Sequence, residues 1–220
     1  MVQWIYYAVG AYLLGAIPFG KLIAKRVARI DITKRGSGNI GATNVARVVG
    51  LRWGILTLLL DTLKGFLPVF LFALYGRQTG SSFPVGLSAV GLSALIGHQF
   101  SLFEGFRGGK GVATALGVFI GISPLACVVA VLVFVFTVYQ WDYVSLGSMV
   151  AACVMPVLLA LFGKPLPLVI GTVAAAALIC FAHRENIRRL AQGNENKWRS
   201  RRVNPDVPEA DPAHRRNKNR

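Results

Sequence analysis

The chain has 220 residues, 54% of them hydrophobic and 15% charged, with a mean hydropathy of +0.55. A soluble domain of that length carries far more charge, so a water-soluble globule is excluded. The net charge of +15 sits mainly in two blocks almost free of aromatic residues, which points to an anionic membrane surface and away from nucleic acid.

The first apolar run, about 4–24, has no Lys or Arg before Lys21 and no small-x-small cleavage site, so it is expected to remain as a span. Seven Lys/Arg and one acid, Asp31, follow between Lys25 and Arg52. Further apolar runs lie near 52–75, 84–100, 112–122, 124–140, 144–162 and 166–182, against a need of roughly 20 residues per crossing. The stretch 112–140 reads as two short helices broken around Gly121-Ile122-Ser123-Pro124, because one long helix would leave the basic tail outside. With the break, the N-terminus is outside, 20 Lys/Arg face the cytoplasm, and only Arg77 and Lys164 face out. The expected fold is all-α: a polytopic integral membrane protein with about seven transmembrane helices and short interfacial loops or helices. Residues 1–192 form this membrane domain, and 193–220 form a basic, disordered tail near the membrane surface.

Three polar islands interrupt the apolar pattern. Ser37 to Arg47 reads SGNIGATNVAR. Gly38 and Gly41 let the backbone approach a ligand and turn N–H groups inward. Ser37, Asn39, Thr43 and Asn44 add short hydrogen-bonding groups, and Arg47 adds a planar cation suited to phosphate. The second island, Gly97 to Thr114, reads GHQFSLFEGFRGGKGVAT. Phe100, Phe103 and Phe106 recur every three residues, as in an amphipathic interfacial piece. Arg107, Gly108, Gly109, Lys110 and Gly111 then precede an apolar helix, where amides and a lysine suit an anion. This is no Walker A loop, since Gly111 stands where Ser or Thr would hold Mg²⁺. A flexible turn is the plainer reading of GGKG alone. The third island, His183 to Glu195, reads HRENIRRLAQGNE, and a continuing helix places His183 and Asn186 on one face. Singly, these are an interfacial histidine and positive-inside arginines; the convergence of three islands on one membrane face makes a site.

Within the spans, Asp61 and Lys64 lie three apart and read as an ion pair or as support for that site. His98 ends the third span and is expected to orient a loop or to contact substrate rather than react. Ser148 sits near the cytoplasmic end of the sixth span, as a packing contact or a site neighbour. Cys127, Cys153 and Cys180 lack metal-ligand spacing and read as small buried hydrophobes.

The three islands together resemble the signature loops of bacterial acyl-phosphate:glycerol-3-phosphate acyltransferases, the PlsY family, over nearly all of the chain up to Glu195. Ser101 stands where proline is common, Arg107 where lysine is common and Asn194 where threonine is usual; the tail beyond Lys197 looks like an addition. The resemblance implies transfer of a fatty acyl group from acyl phosphate to the 1-hydroxyl of sn-glycerol 3-phosphate at the bacterial cytoplasmic membrane. It implies lysophosphatidic acid and phosphate as products, with no coenzyme A or acyl carrier protein as direct donor. It suggests Ser37, Arg47, Lys110, His183 and Asn186 as the central site, with Ser148 nearby. Arg47 and Lys110 would bind phosphates and stabilise developing charge; Ser37 and Asn186 would hydrogen-bond substrate oxygens. His183 would orient glycerol 3-phosphate or take the hydroxyl proton, a substrate phosphate being the alternative base. A covalent acyl-Ser37 is unneeded, because acyl phosphate is already activated and asks mainly for positioning and electrostatics. No metal or cofactor is called for, the partners are the two substrates and membrane lipids, and a monomer is compatible with the sequence. The rival classes are a transporter of a phosphorylated solute and a membrane scaffold working through the basic tail.

Overall fold

The computed structural model describes residues 3–199. Among the described residues there are ten α-helices and no strands: α1 (Gln3–Gly15), α2 (Phe19–Ala28), α3 (Ala42–Val48), α4 (Leu51–Tyr75), α5 (Phe83–Gln99), α6 (Val112–Ile122), α7 (Pro124–Trp141), α8 (Val144–Leu161), α9 (Leu166–Ala182) and α10 (Arg184–Ala191). The all-helical membrane architecture expected from the sequence is present. Leu59, Leu125, Leu132 and Leu161 are each at least 60% exposed, an apolar surface that a bilayer covers and water would not tolerate.

The first apolar run forms one candidate span, Trp4–Ala28, but not one continuous helix. Pro18 lacks an N–H and disfavours helical geometry in the residue before it. The run therefore breaks at Ala16–Pro18 into α1 and α2, and carbonyls at the break are met by side chains from elsewhere. Ser101 Oγ donates to the Ala16 carbonyl (2.6 Å) and Lys64 Nζ to that of Ile17 (2.7 Å). The break expected in 112–140 falls at Ser123, between α6 and α7. At 1.5 Å per residue the 11-residue α6 spans about 16 Å, half of a bilayer core, whereas the 25-residue α4 spans about 37 Å.

Small residues set how closely the helices approach. A Cβ on Gly65 of α4 would lie 2.0 Å from the Thr114 carbonyl oxygen of α6, and one on Gly117 of α6 would lie 1.9 Å from that of Thr62. The two backbones are in direct contact, as helix packing in lipid favours. This contact anchors the start of α6, and with it the Arg107–Gly111 loop that leads into it.

Asp61 and Lys64 are buried on α4 and paired at 2.9 Å. Of the cysteines only Cys127 is buried; Cys153 is exposed and its sulfur lies 3.8 Å from that of the half-buried Cys180, all three being free thiols. The Phe100–Phe106 segment holds only one short 3₁₀ turn, Leu102–Glu104, yet Phe103 and Phe106 remain exposed as an interfacial piece should be. Beyond the expected boundary at 192/193, residues 194–199 return to the α7–α8 turn. Residues 200–220 of the expected tail lie outside the described residues.

Candidate active site

The Ser37–Arg47 island folds around one side chain. Asn44, on α3 and 2% exposed, donates from its amide nitrogen to the carbonyls of Arg35 (3.0 Å) and Asn39 (2.8 Å) and accepts the Ser37 N–H (2.9 Å). Gly36 makes this possible: its φ is +59°, and a Cβ there would lie 2.3 Å from Asn44 Oδ1. Asn39 Oδ1 accepts the Gly41 N–H (2.7 Å), and Gly41 leads into α3, which carries Thr43 and Arg47. Asn44 and Asn39 thus build the loop, rather than reaching for a ligand.

The second island wraps over the end of α5. The N–H groups of Gly108 and Gly109 donate to the carbonyls of Gln99 (2.9 Å) and His98 (3.1 Å). A Cβ on Gly109 would lie 2.3 Å from His98 Nε2, so glycine here serves close packing. The expected cradle of these two amides around an anion is occupied by protein carbonyls. What the loop delivers is Lys110, whose own carbonyl accepts from Gln99 Nε2 (3.0 Å). His98 is buried, with Nδ1 3.1 Å from Thr114 Oγ1.

The third island does not continue α9. The chain bends by 60° between α9 and α10, at His183, and both His183 and Asn186 are buried. His183 Nδ1 lies 2.8 Å from the Ile179 carbonyl. A carbonyl only accepts, so Nδ1 carries the proton and Nε2 keeps its lone pair. Burial, then the charge of Lys110, pushes the imidazole pKa down to about 4, so it is neutral near pH 7. Asn186 accepts from Lys110 Nζ and donates to Glu195 Oε1 (2.6 Å). Glu195 also accepts from Ser145 Oγ (2.9 Å) and Arg189 Nε (2.8 Å). Burial alone would raise the Glu195 pKa; the hydrogen bonds from Asn186, Arg189 and Ser145 outweigh it and hold the carboxyl below its ordinary value. Burial lowers Lys110 to about 8, against the attraction of Glu195.

Two adjoining cavities result. An inner one of about 190 Å³ reaches between the helices to Leu58, Asp61 and Phe134 and is lined by Arg47, His98, Ser148 and His183. An outer one of about 350 Å³ lies among the loops, against Gly38, Gly108, Gly109, Arg107 and Arg184. Ser37, Asn39, Lys110, Asn186 and Arg189 line both and form the partition. Ser37, Arg47, Lys110, His183 and Asn186 all border one cavity or the other, as do Gly41, Thr43, Asn44, His98 and Ser148. Ser148 Oγ is engaged with the Val144 carbonyl (2.8 Å). Among the described residues no group of three or more His, Cys, Asp or Glu is placed to hold a metal.

The family model for glycerol-3-phosphate acyltransferase matches residues 5–193. The chain belongs to that family. A glycerol-3-phosphate acyltransferase of Geotalea daltonii is 52% identical over 199 residues, covering 90% of this chain and all of the relative. That of Trichlorobacter lovleyi is 48% identical over 200 residues, with 91% and 100% covered. The crystal structure of PlsY, an integral membrane glycerol 3-phosphate acyltransferase, in its glycerol 3-phosphate form matches at a TM-score of 0.83 and 39% identity, over 89% of this chain and 95% of that one. Its lysophosphatidic acid form matches at 0.80 and 38%, with the same coverage. This acyltransferase is thus a multi-pass membrane protein, in line with its apolar helices.

Sequence reasoning gave no role to Ser145, Glu195, Asn196 or Trp198 and read Arg189 only as a positive-inside anchor, yet all five line the inner cavity. Glu195 carried a faint signal, an acid closing a motif with three arginines. Trp198 carried one too, as the lone aromatic of the basic block. Glu195 and Trp198 lie past the end of the family match at residue 193.

Proposed function

We propose that the chain transfers a fatty acyl group from acyl phosphate to the 1-hydroxyl of sn-glycerol 3-phosphate, releasing lysophosphatidic acid and phosphate. The carrying observation is that Ser37, Arg47, Lys110, His183 and Asn186, from three distant stretches, surround adjoining cavities, the inner one cationic at one end and apolar at the other. The acyl chain lies against Leu58, Val112, Phe134 and Val144, and the phosphoryl groups lie by Arg47 and Lys110. Lys110, held by Asn186, stabilises charge on the carbonyl oxygen and departing phosphate as the C–O bond to phosphate breaks. His183, neutral with Nε2 unprotonated, accepts the hydroxyl proton as the new ester bond forms. Ser37 hydrogen-bonds a substrate oxygen and is not acylated.

The same reading sets the enzyme in the bacterial cytoplasmic membrane, with seven spans formed by α1–α2, α4, α5, α6, α7, α8 and α9. The N-terminus is outside and the site cytoplasmic. The Lys110–Asn186 contact supports this parity, since it holds the loop before α6 and the segment after α9 on one side, as four crossings between them require. The test is purified protein with palmitoyl phosphate and labelled glycerol 3-phosphate. Lysophosphatidic acid forms without thioester or added metal; activity only with acyl-coenzyme A would overturn the donor assignment.

A further inference from the structure

Residues 194–199 leave α10 and cross to the α7–α8 hairpin. The crossing is held by Glu195 on Ser145 (2.9 Å) and by the Trp198 N–H on the Asp142 carbonyl (2.9 Å). It is held further by the Arg199 N–H on Asp142 Oδ1 (3.1 Å) and by the Arg199 guanidinium 5.4 Å from the Tyr139 ring centre. Asp142 occupies a left-handed turn at φ +63°, which turns its carbonyl and carboxylate toward this one segment. Trp198, 44% exposed, thereby has one part against solvent and another lining the inner cavity. The other apolar groups named on that cavity, Leu58, Val112, Phe134 and Val144, all belong to α4, α6, α7 and α8; the loop side is otherwise lined by polar or small residues such as Arg47, Lys110 and Arg189.

An acyl phosphate bound there faces two nucleophiles. Attack on its carbonyl carbon by the 1-hydroxyl of glycerol 3-phosphate forms the ester, breaks the C–O bond to phosphate and sends the hydroxyl proton to the base. Attack by water breaks the same bond and yields free fatty acid and phosphate, with the proton lost to solvent. Polar walls admit water, and a large aromatic plate excludes it.

Building on the acyl-transfer reading, we infer that Trp198 is a specificity-determining residue that shields the bound acyl phosphate from water, with Asp142 positioning it through the returning segment. The test uses the full chain, palmitoyl phosphate and glycerol 3-phosphate, with free palmitate and lysophosphatidic acid measured in the same reaction. Trp198→Ala raises the ratio of hydrolysis to transfer by about fivefold, and Trp198→Phe, which keeps an aromatic plate, restores it. Asp142→Gly keeps the left-handed turn while removing the carboxylate, and raises the ratio by about twofold. A ratio unchanged in Trp198→Ala and Asp142→Gly, with lysophosphatidic acid still formed, would overturn the inference and leave the transferase reading intact. Wild-type protein that makes no lysophosphatidic acid overturns both.

Discussion

Two walls of the inner cavity are built on opposite plans. The Ser37–Arg47 wall is tied locally: Asn44 bonds residues five to nine positions before it. The C-terminal wall is assembled across the fold, because Glu195 joins Asn186, Arg189 and Ser145, the last 50 residues away in sequence. Lys110 stands where the two meet, lining both cavities and bonded to Asn186. A local wall is preformed for phosphate, whereas an assembled wall can pass changes in charge from one element to another.

The largest effect belongs to the residue the walls share. Lys110→Ala lowers kcat/KM for lysophosphatidic acid formation by about 10²–10³, read with labelled glycerol 3-phosphate, while the melting temperature changes little. Equal loss in stability and activity would make Lys110 a structural cation. Asn44→Ala tests the local wall. It leaves the Ser37 N–H and the Arg35 and Asn39 carbonyls without their partner, at a cost of about 1 kcal/mol in thermal stability, and raises KM for glycerol 3-phosphate. An unchanged KM would mean that the loop keeps its shape without that amide.

The assembled wall answers to pH. The Lys110 ammonium is the working form and burial has lowered its pKa to about 8, so kcat/KM falls as pH rises through about 8. Glu195 opposes that lowering, so Glu195→Gln moves the alkaline limb to lower pH, by about one unit. A limb that stays in place would remove Glu195 from the electrostatics of the site. The smallest effect is on the acid side. His183 is neutral down to about 4, against an ordinary 6.5, so protonation disfavours the fold progressively as pH drops from 6.5 toward 4. His183→Gln removes that acid-side loss from a stability profile between those values.

The same contrast explains what could be read from residues alone. The first wall was legible because its glycines, amides and arginine occupy eleven consecutive positions, Ser37 to Arg47. The break before Pro124 was legible because the placement of lysines and arginines required it. The break at Pro18 was not, since hydropathy runs smoothly through a proline and the groups that meet it, Ser101 and Lys64, are remote. Glu195 and Trp198 were passed over for a related reason: their partners Ser145 and Asp142 belong to another helix hairpin. The anion role expected of the Gly108 and Gly109 amides had a local rationale, but the end of α5 competes for those amides and holds them.

The Asp61–Lys64 pair has a consequence for biogenesis. Lys64 bonds to Asp61, one turn back on its own helix, and to the Ile17 carbonyl, in a segment synthesised earlier. Both companions are already synthesised when the lysine leaves the ribosome, whereas His98, which comes to lie 3.8 Å from Asp61, is still unmade. The helix can enter lipid as an electrically neutral unit, with its cation already accompanied, and the later segments then close over a charge that was never stranded.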